Sequence, residues 1–180
     1  MLQSNVINKT IYRAVLTPFF LAFGIIFLGK VSILTPFSPV PLAFRPQLVI
    51  LFAWLFGFRN TCAALLIFLI AALQQNACLV SSSAFANGVF GPTCGYIFGY
   101  FVVAYLVRFL QKIGLSPLAC FALSSLTIDF LGAAWMSIFF GVEKSMQIGF
   151  MPFILADMVK SVVFASALSC FSCKAGSEYR

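Results

Sequence analysis

Residues 148–171 run apolar for the length of a bilayer crossing, yet Asp157 and Lys160 stand in the middle of that run. Few features restrict a fold as strongly. A carboxylate and an ammonium inside a membrane helix are costly and rare, and such groups face a cavity or the bundle interior rather than lipid. Residues three apart on a helix share a face. The two groups therefore point the same way, with Phe153, Ser161 and Phe164 near them. They read as the polar corner of an otherwise apolar pocket.

The remaining sequence supplies the bilayer. It is 62% hydrophobic and 8% charged, with a mean hydropathy of +1.07, whereas soluble domains are about 25% charged. So few polar side chains cannot cover a surface in water. A length of 180 residues has room for about six helices of about 20 residues with short connections. The predicted fold is an all-α integral membrane protein of six transmembrane helices, one domain over residues 1–180 with no soluble module.

The net charge is +7, from 11 Lys and Arg against 4 Asp and Glu. These basic residues are scattered singly, so nothing resembles a nucleic-acid-binding face, and their sign is read as topology. There is no His, which removes the commonest acid–base catalyst and metal ligand. No G-x-x-x-x-G-K-[ST] sequence is present, so the chain has no ATP site of that kind. No cofactor and no metal are expected. Of the six cysteines, Cys62, Cys78, Cys94 and Cys120 lie in or beside apolar stretches, where a thiol is a small apolar residue. Cys170 and Cys173 form a lone C-x-x-C without a second pair, read as structural. Cys78 and Cys94 fall on one outer side, and spacing leaves their pairing open.

Along the chain, helices are predicted at residues 11–28, 47–58, 62–74, 92–110, 117–140 and 150–172. The first run follows Lys9 and Arg13 as a signal peptide would, but no small-residue cleavage site follows it and it is long enough to span. Pro18 near its start is expected to kink it. Residues 30–46 carry Pro36, Pro39, Pro41 and Pro46, which forbids a regular helix and predicts an apolar outer loop packed like a lid. Arg59-Asn60 is read as a tight turn, and Gly141 to Gly149 as a polar one. Pro92 suits the first position of its helix. Gly91, Gly95 and Gly99 are four apart, a spacing that lets membrane helices approach closely; Gly95 suits either packing or ligand contact.

Six spans put both termini on one side. With the termini inside, Lys9, Arg13, Arg59, Arg108, Lys112, Lys174 and Arg180 are cytoplasmic, and only Lys30, Arg45 and Lys144 lie outside. The excess of basic residues in cytoplasmic loops favours this orientation. The proline-rich loop, the Ser- and Gly-rich connection at residues 75–90 and the Asp157–Lys160 pair then meet on the outer side, which suits capture of a solute from outside.

Asp129 is a second intramembrane carboxylate, without an obvious partner in sequence. It either bonds a neighbouring helix or Lys160, or lines the cavity. Two intramembrane aspartates also suggest an aspartyl protease, which uses two carboxylates sharing a proton. The flanks Thr127-Ile-Asp129-Phe130 and Leu155-Ala-Asp157-Met158 lack the Gly-rich motif such a protease needs, and Lys160 opposes a shared proton.

Gly91-Pro-Thr-Cys-Gly-Tyr-Ile-Phe-Gly-Tyr100 resembles the G-P-T-G-G-Y-x-x-G-F signature of the BioY family, the biotin-specific substrate-binding (S) components of energy-coupling-factor (ECF) transporters. Pro152-Phe-Ile-Leu-Ala-Asp-Met-Val-Lys160 is similar to its P-F-x-x-G-D-x-x-K segment, Pro39-Val-Pro-Leu42 to its P-V-P-L-T loop, and Ile128-Asp-Phe-Leu-Gly-Ala-Ala-Trp135 to an I-Y-L-L-G-x-x-W pattern. The motifs occur in family order and span most of the chain. Cys94 and Ala156 replace glycines of the pattern, and Asp129 stands where a tyrosine is usual. Beyond Pro41 the family tends to read L-T-L-Q-T-L, whereas this chain reads Leu-Ala-Phe-Arg-Pro-Gln-Leu with one extra residue. Gln47 and Arg45 are thus alternative heirs of the family glutamine. Ala14, Ala22 and Gly24 on the first helix do not form the clean four-residue steps with which S components slide against a coupling subunit.

The resemblance implies an S-component-like bundle and not an enzyme. It implies high-affinity biotin binding and biotin uptake across the bacterial cytoplasmic (inner) membrane, as a multi-pass protein with both termini cytoplasmic. Biotin is then the transported ligand, and a separate ECF transmembrane coupling subunit and ATPases are the partners. A loop would close over the vitamin before the whole protein reorients. Asp157 can accept from a ureido N–H, and Lys160 can donate to the ureido oxygen while neutralising Asp157. Tyr96 and Trp135 are expected to wall the ring system. Thr93, Gly95 and the free N–H groups at that helix start can serve the carboxylate, as can Arg45. Which end of biotin meets which charge stays open. The alternative within the same fold is another small vitamin or heterocyclic carboxylate.

Overall fold

A computed structural model describes residues 2–28, 32–33, 42–73 and 91–177, with side chains described for residues 15–28, 44–73 and 91–169. Its elements are α1 (Leu2–Leu28), β1 (Ser32–Ile33), β2 (Leu42–Ala43), α2 (Arg45–Leu73), α3 (Cys94–Ile113), α4 (Pro117–Phe140), α5 (Val142–Gly149) and α6 (Met151–Ser177). The strands form one short antiparallel pair, Ser32 opposite Ala43 and Ile33 opposite Leu42. Two described stretches of the predicted proline-rich loop thus pair with each other.

The exterior is the apolar side. Phe20, Ile138 and Leu155 are 77%, 72% and 76% exposed, and α1, α2, α3, α4 and α6 all present large apolar side chains outward. Inside, Arg45, Gln47, Asp129 and Asp157 are buried beside Ile25, Phe68, Val103 and Phe121. Water would punish this distribution, and hydrocarbon suits it, since lipid tails solvate the outer face and the bundle interior keeps the polar groups away from lipid. Among the described residues, the helices at Arg45–Leu73, Cys94–Ile113 and Pro117–Phe140 and the stretch Val142–Ser169 are long and apolar enough to cross a membrane, and Val15–Leu28 is a shorter apolar helix. The chain is a multi-pass membrane protein.

Local signals set several ends. Ser116 caps α4 by accepting from the Ala119 N–H at 3.4 Å, with Pro117 in the first turn, where its missing N–H costs nothing. Gly114 closes α3 with φ 82°, and the Leu115 N–H reaches back to the Leu110 carbonyl. That left-handed closure favours glycine.

Three expectations are corrected. Pro92 lies in the turn ahead of α3, which begins at Cys94. The polar turn expected at Gly141 to Gly149 is the short helix α5, whose Ser145 is buried and donates to the Ala133 carbonyl. The turn expected at Arg59-Asn60 falls instead at Gly57, with φ 79° and ψ 170°. There the chain reverses. A continuous helix would separate Arg45 from Phe68 by roughly 35 Å at 1.5 Å per residue, yet the guanidinium lies 5.1 Å from the Phe68 ring centroid. Asn60 donates to the Phe56 carbonyl at 3.0 Å and Thr61 to the Gly57 carbonyl at 3.0 Å. These bonds occupy acceptors that the break releases. With both arms of α2, six long helical segments are described: α1, the two α2 arms, α3, α4 and α6.

Candidate functional site

The polar interior is organised by the contact between α4 and α6. Phe121 stacks on Phe164 with centroids 6.2 Å apart, and the Ser125 and Ser161 hydroxyls are 3.5 Å apart. One step up α4 matches one step down α6, so the helices run antiparallel. One helical turn further along both, this register brings Asp129 and Asp157 to the same level. Asp129 accordingly feels the charges of Asp157 and Lys160.

Asp157 is 2% exposed and accepts a hydrogen bond from the Lys160 ammonium through Oδ1. The ammonium also sits 5.9 Å from the Phe44 ring centroid, within cation–π range. Gln47, at the tip of the first α2 arm, donates to Ser125 Oγ at 2.9 Å and more distantly, at 3.5 Å, to the Asp157 backbone carbonyl. Arg45 is buried with its guanidinium over Phe68 and within electrostatic range of Tyr100. Three helices thus converge on one polar cluster.

The cluster has surplus acceptors. Asp157 Oδ2, Asp129 Oδ2 and Gln47 Oε1 are buried and have no hydrogen-bond partner among the described residues. Buried polar atoms in native proteins are nearly all satisfied, and each one left alone costs about 1–3 kcal/mol. Unsatisfied atoms gathered at one level are suited to a polar guest that brings donors.

Tyr96 borders the cluster. It is buried, in electrostatic reach of Asp129 and Asp157, and its ring centroid is 6.0 Å from that of Phe153. The other residues predicted for the α3 start sit at a seam rather than in the cluster. A methyl at Gly95 would lie 2.3 Å from Trp135 Cβ and 2.7 Å from the Leu131 carbonyl, so Gly95 is spent on close helix packing. Trp135 donates from Nε1 to the Gly91 carbonyl at 3.2 Å and is 37% exposed. It is six residues from Asp129, which puts it on a different face of α4. Thr93 precedes α3, and its side chain makes no capping bond to the helix.

The structure therefore brings Asp157, Lys160, Gln47 and Tyr96 together, with Arg45 on the same arm as Gln47, and leaves Thr93, Gly95 and Trp135 along the α3–α4 seam. Sequence reasoning missed Ser125, Ser124 and Tyr100. A signal for Ser125 was available: it precedes Asp129 by one helical turn on a face continued by Gly132 and Met136, all buried. The lid residues Pro39, Val40 and Pro41, and Cys78 of the possible disulfide, lie outside the described residues; Cys94 is a free thiol.

The fold has a counterpart among solved structures. A crystal structure at 2.1 Å of the S-component for biotin from an ECF-type ABC transporter superposes with a TM-score of 0.76 at 23% identity, covering 92% of this chain and 93% of that one. The two share a fold. Biotin transporter BioY of Thermotoga maritima is 25% identical over 134 residues, 72% of this chain and 79% of the relative. Probable biotin transporter BioY of Pyrococcus horikoshii is 27% identical over 131 residues, 69% and 75% of the two chains. Biotin transporter BioY2 of Lactococcus lactis is 24% identical over 134 residues, 71% and 74%. A model of the BioY family matches residues 3–174, nearly the whole chain, which therefore belongs to the BioY family.

Proposed function

We propose that the protein is a high-affinity biotin-binding S component that supports biotin uptake, a carrier subunit rather than an enzyme. The observation that carries this reading is the Asp157–Lys160 pair, its acid buried, with Gln47 between Ser125 and the Asp157 backbone carbonyl and with acceptors left unsatisfied. A buried ion pair seldom repays its own desolvation, so a guest that completes its hydrogen bonds gives it a reason to exist. The ureido group of biotin has two N–H donors and one carbonyl. Asp157 accepts from one N–H and Lys160 donates to the carbonyl. Tyr96 flanks the rings, with Trp135 at the seam beside them. The valerate carboxylate is served by Arg45 or by Thr93 and the Gly95 N–H at the α3 start; Gln47 steadies the loop side of the site.

The setting is the bacterial cytoplasmic membrane, with both termini cytoplasmic. The Gln111 side chain donates to the Trp54 carbonyl at 3.1 Å, and Phe58 meets Tyr105 edge-on at 5.9 Å. These contacts favour one end of the bundle for Arg59, Arg108 and Lys112, as cytoplasmic basic residues require. The polar cluster then lies toward the outer side, where the loop at residues 30–46 closes over the vitamin. Energy comes from a separate ECF coupling subunit and ATPases. The test is binding of labelled biotin to the purified chain. Affinity is expected to be on the order of nanomolar and to be lost in Asp157→Asn and in Lys160→Ala; unchanged affinity in both variants sinks the site assignment.

A further inference from the structure

Asp129 is 1% exposed, and its Oδ2 has no hydrogen-bond partner among the described residues. Three nearby polar side chains make contacts elsewhere. Ser125, one turn before it, accepts from Gln47 and contacts Ser161. The Tyr96 hydroxyl donates to the Gly149 carbonyl at 2.6 Å. Lys160 reaches the opposite acid, Asp157. A carboxylate packed for structure alone would have found a donor; this one is held beside a second acid at the same level of the bundle, a costly placement unless something answers both.

Asp129 Oδ2 and Asp157 Oδ2 are thus two buried acceptors without partners among the described residues, and the Lys160 ammonium stands on Asp157 Oδ1. The chemical complement of that arrangement is a planar group with two N–H donors on either side of a carbonyl. We infer that Asp129 is a second ligand-binding carboxylate, which accepts one ureido N–H while Asp157 accepts the other and Lys160 donates to the ureido oxygen. The inference rests on the biotin reading above and adds to it a specificity: both urea nitrogens must carry hydrogen. Asp129 stands on α4 and Asp157 on α6, so a ligand that donates to both also ties those helices together.

The experiment is calorimetric titration of the full chain with biotin and with its two singly N-methylated ureido derivatives, for the unmodified protein, Asp129→Asn and Asp129→Ala. A hydrogen bond to a charged group supports a loss of about tenfold to a hundredfold when one partner is removed. Both methylated ligands are therefore expected to bind the unmodified protein at least about tenfold more weakly than biotin. In Asp129→Ala, biotin weakens by about tenfold to a hundredfold, and one methylated isomer, the one whose blocked nitrogen faces the shortened side chain, now binds as well as biotin does. The other isomer keeps its penalty against Asp157. Asp129→Asn, which retains an acceptor oxygen, falls between.

Either methylated isomer binding the unmodified protein as tightly as biotin overturns the inference, and that arm decides the matter even where the alanine variant does not fold. Equal losses for all three ligands in Asp129→Ala also overturn it, because a purely structural aspartate behaves that way. No binding of biotin to the unmodified chain is a separate result, which takes down the biotin reading and this inference with it.

Discussion

The Tyr96 phenol donates to the Gly149 backbone carbonyl at 2.6 Å, tying α3 to the junction of α5 and α6. Gly132 makes room for the ring, since a methyl there would lie 2.3 Å from it. The bond anchors the start of α6, about two turns before Asp157, and so fixes the height of that acid against α4. Tyr96→Phe keeps the ring and abandons a buried carbonyl. It is expected to cost about 1–3 kcal/mol of stability and to weaken biotin binding, read as a lower thermal midpoint in detergent with a raised Kd.

Gly95 and Gly24 make contrasting packing contacts. At Gly95 an added methyl meets the Trp135 Cβ and the Leu131 carbonyl, neither of which can turn away; at Gly24 it meets only the far edge of the Phe52 ring, at 3.1 Å. Gly95→Ala is expected to destabilise by about 1–3 kcal/mol, the usual range for overpacking. Gly24→Ala is expected to cost clearly less. Chemical or thermal unfolding of the two variants side by side checks the order, and a larger loss at Gly24 would refute this account of the α3–α4 seam.

Removing one member of the buried ion pair leaves the other unanswered. Lys160→Ala is expected to cost about 3–5 kcal/mol of stability. Lys160→Met combined with Asp157→Leu removes both charges with similar volumes and is expected to recover most of that loss. Binding of biotin remains absent in the double variant. Stability and binding recovering together would mean that the pair is structural.

Orientation is tested with single cysteines at Lys112 and Lys144 in a background lacking the six native cysteines. A membrane-impermeant maleimide applied to intact cells is expected to label position 144 and to label position 112 only after permeabilisation. The reverse pattern contradicts the assignment of the Arg108 and Lys112 end to the cytoplasm.

Some of this was written locally in the chain and some was not. Ser116-Pro117 announces α4 because a capping hydroxyl and a residue lacking an N–H suit a helix start and little else. Asp157 and Lys160 announce a candidate site because charge in an apolar run is costly and rare. The break in α2 was misplaced by two residues: Arg59-Asn60 looks like a turn by polarity, whereas the reversal depends on the torsions of Gly57, an unremarkable glycine among apolar neighbours. Helix α5 was misread because its inward face is Ser145 and Gly149, small residues that leave no hydrophobic period. Tyr100 went unnoticed because a tyrosine in a membrane helix is ordinary until neighbouring helices decide what it faces.

No atom lies within 4 Å of where a Gly57 side chain would stand, and φ there is +79°. The hairpin in α2 is therefore dictated by torsion and owes nothing to crowding. One arm of that hairpin delivers Gln47 to the acids, and the other slides Phe68 beneath Arg45. A larger residue would fit the space and still spoil the bend, so the alignment of two arms, and of the cation and the amide they carry, hangs on one achiral link far from either.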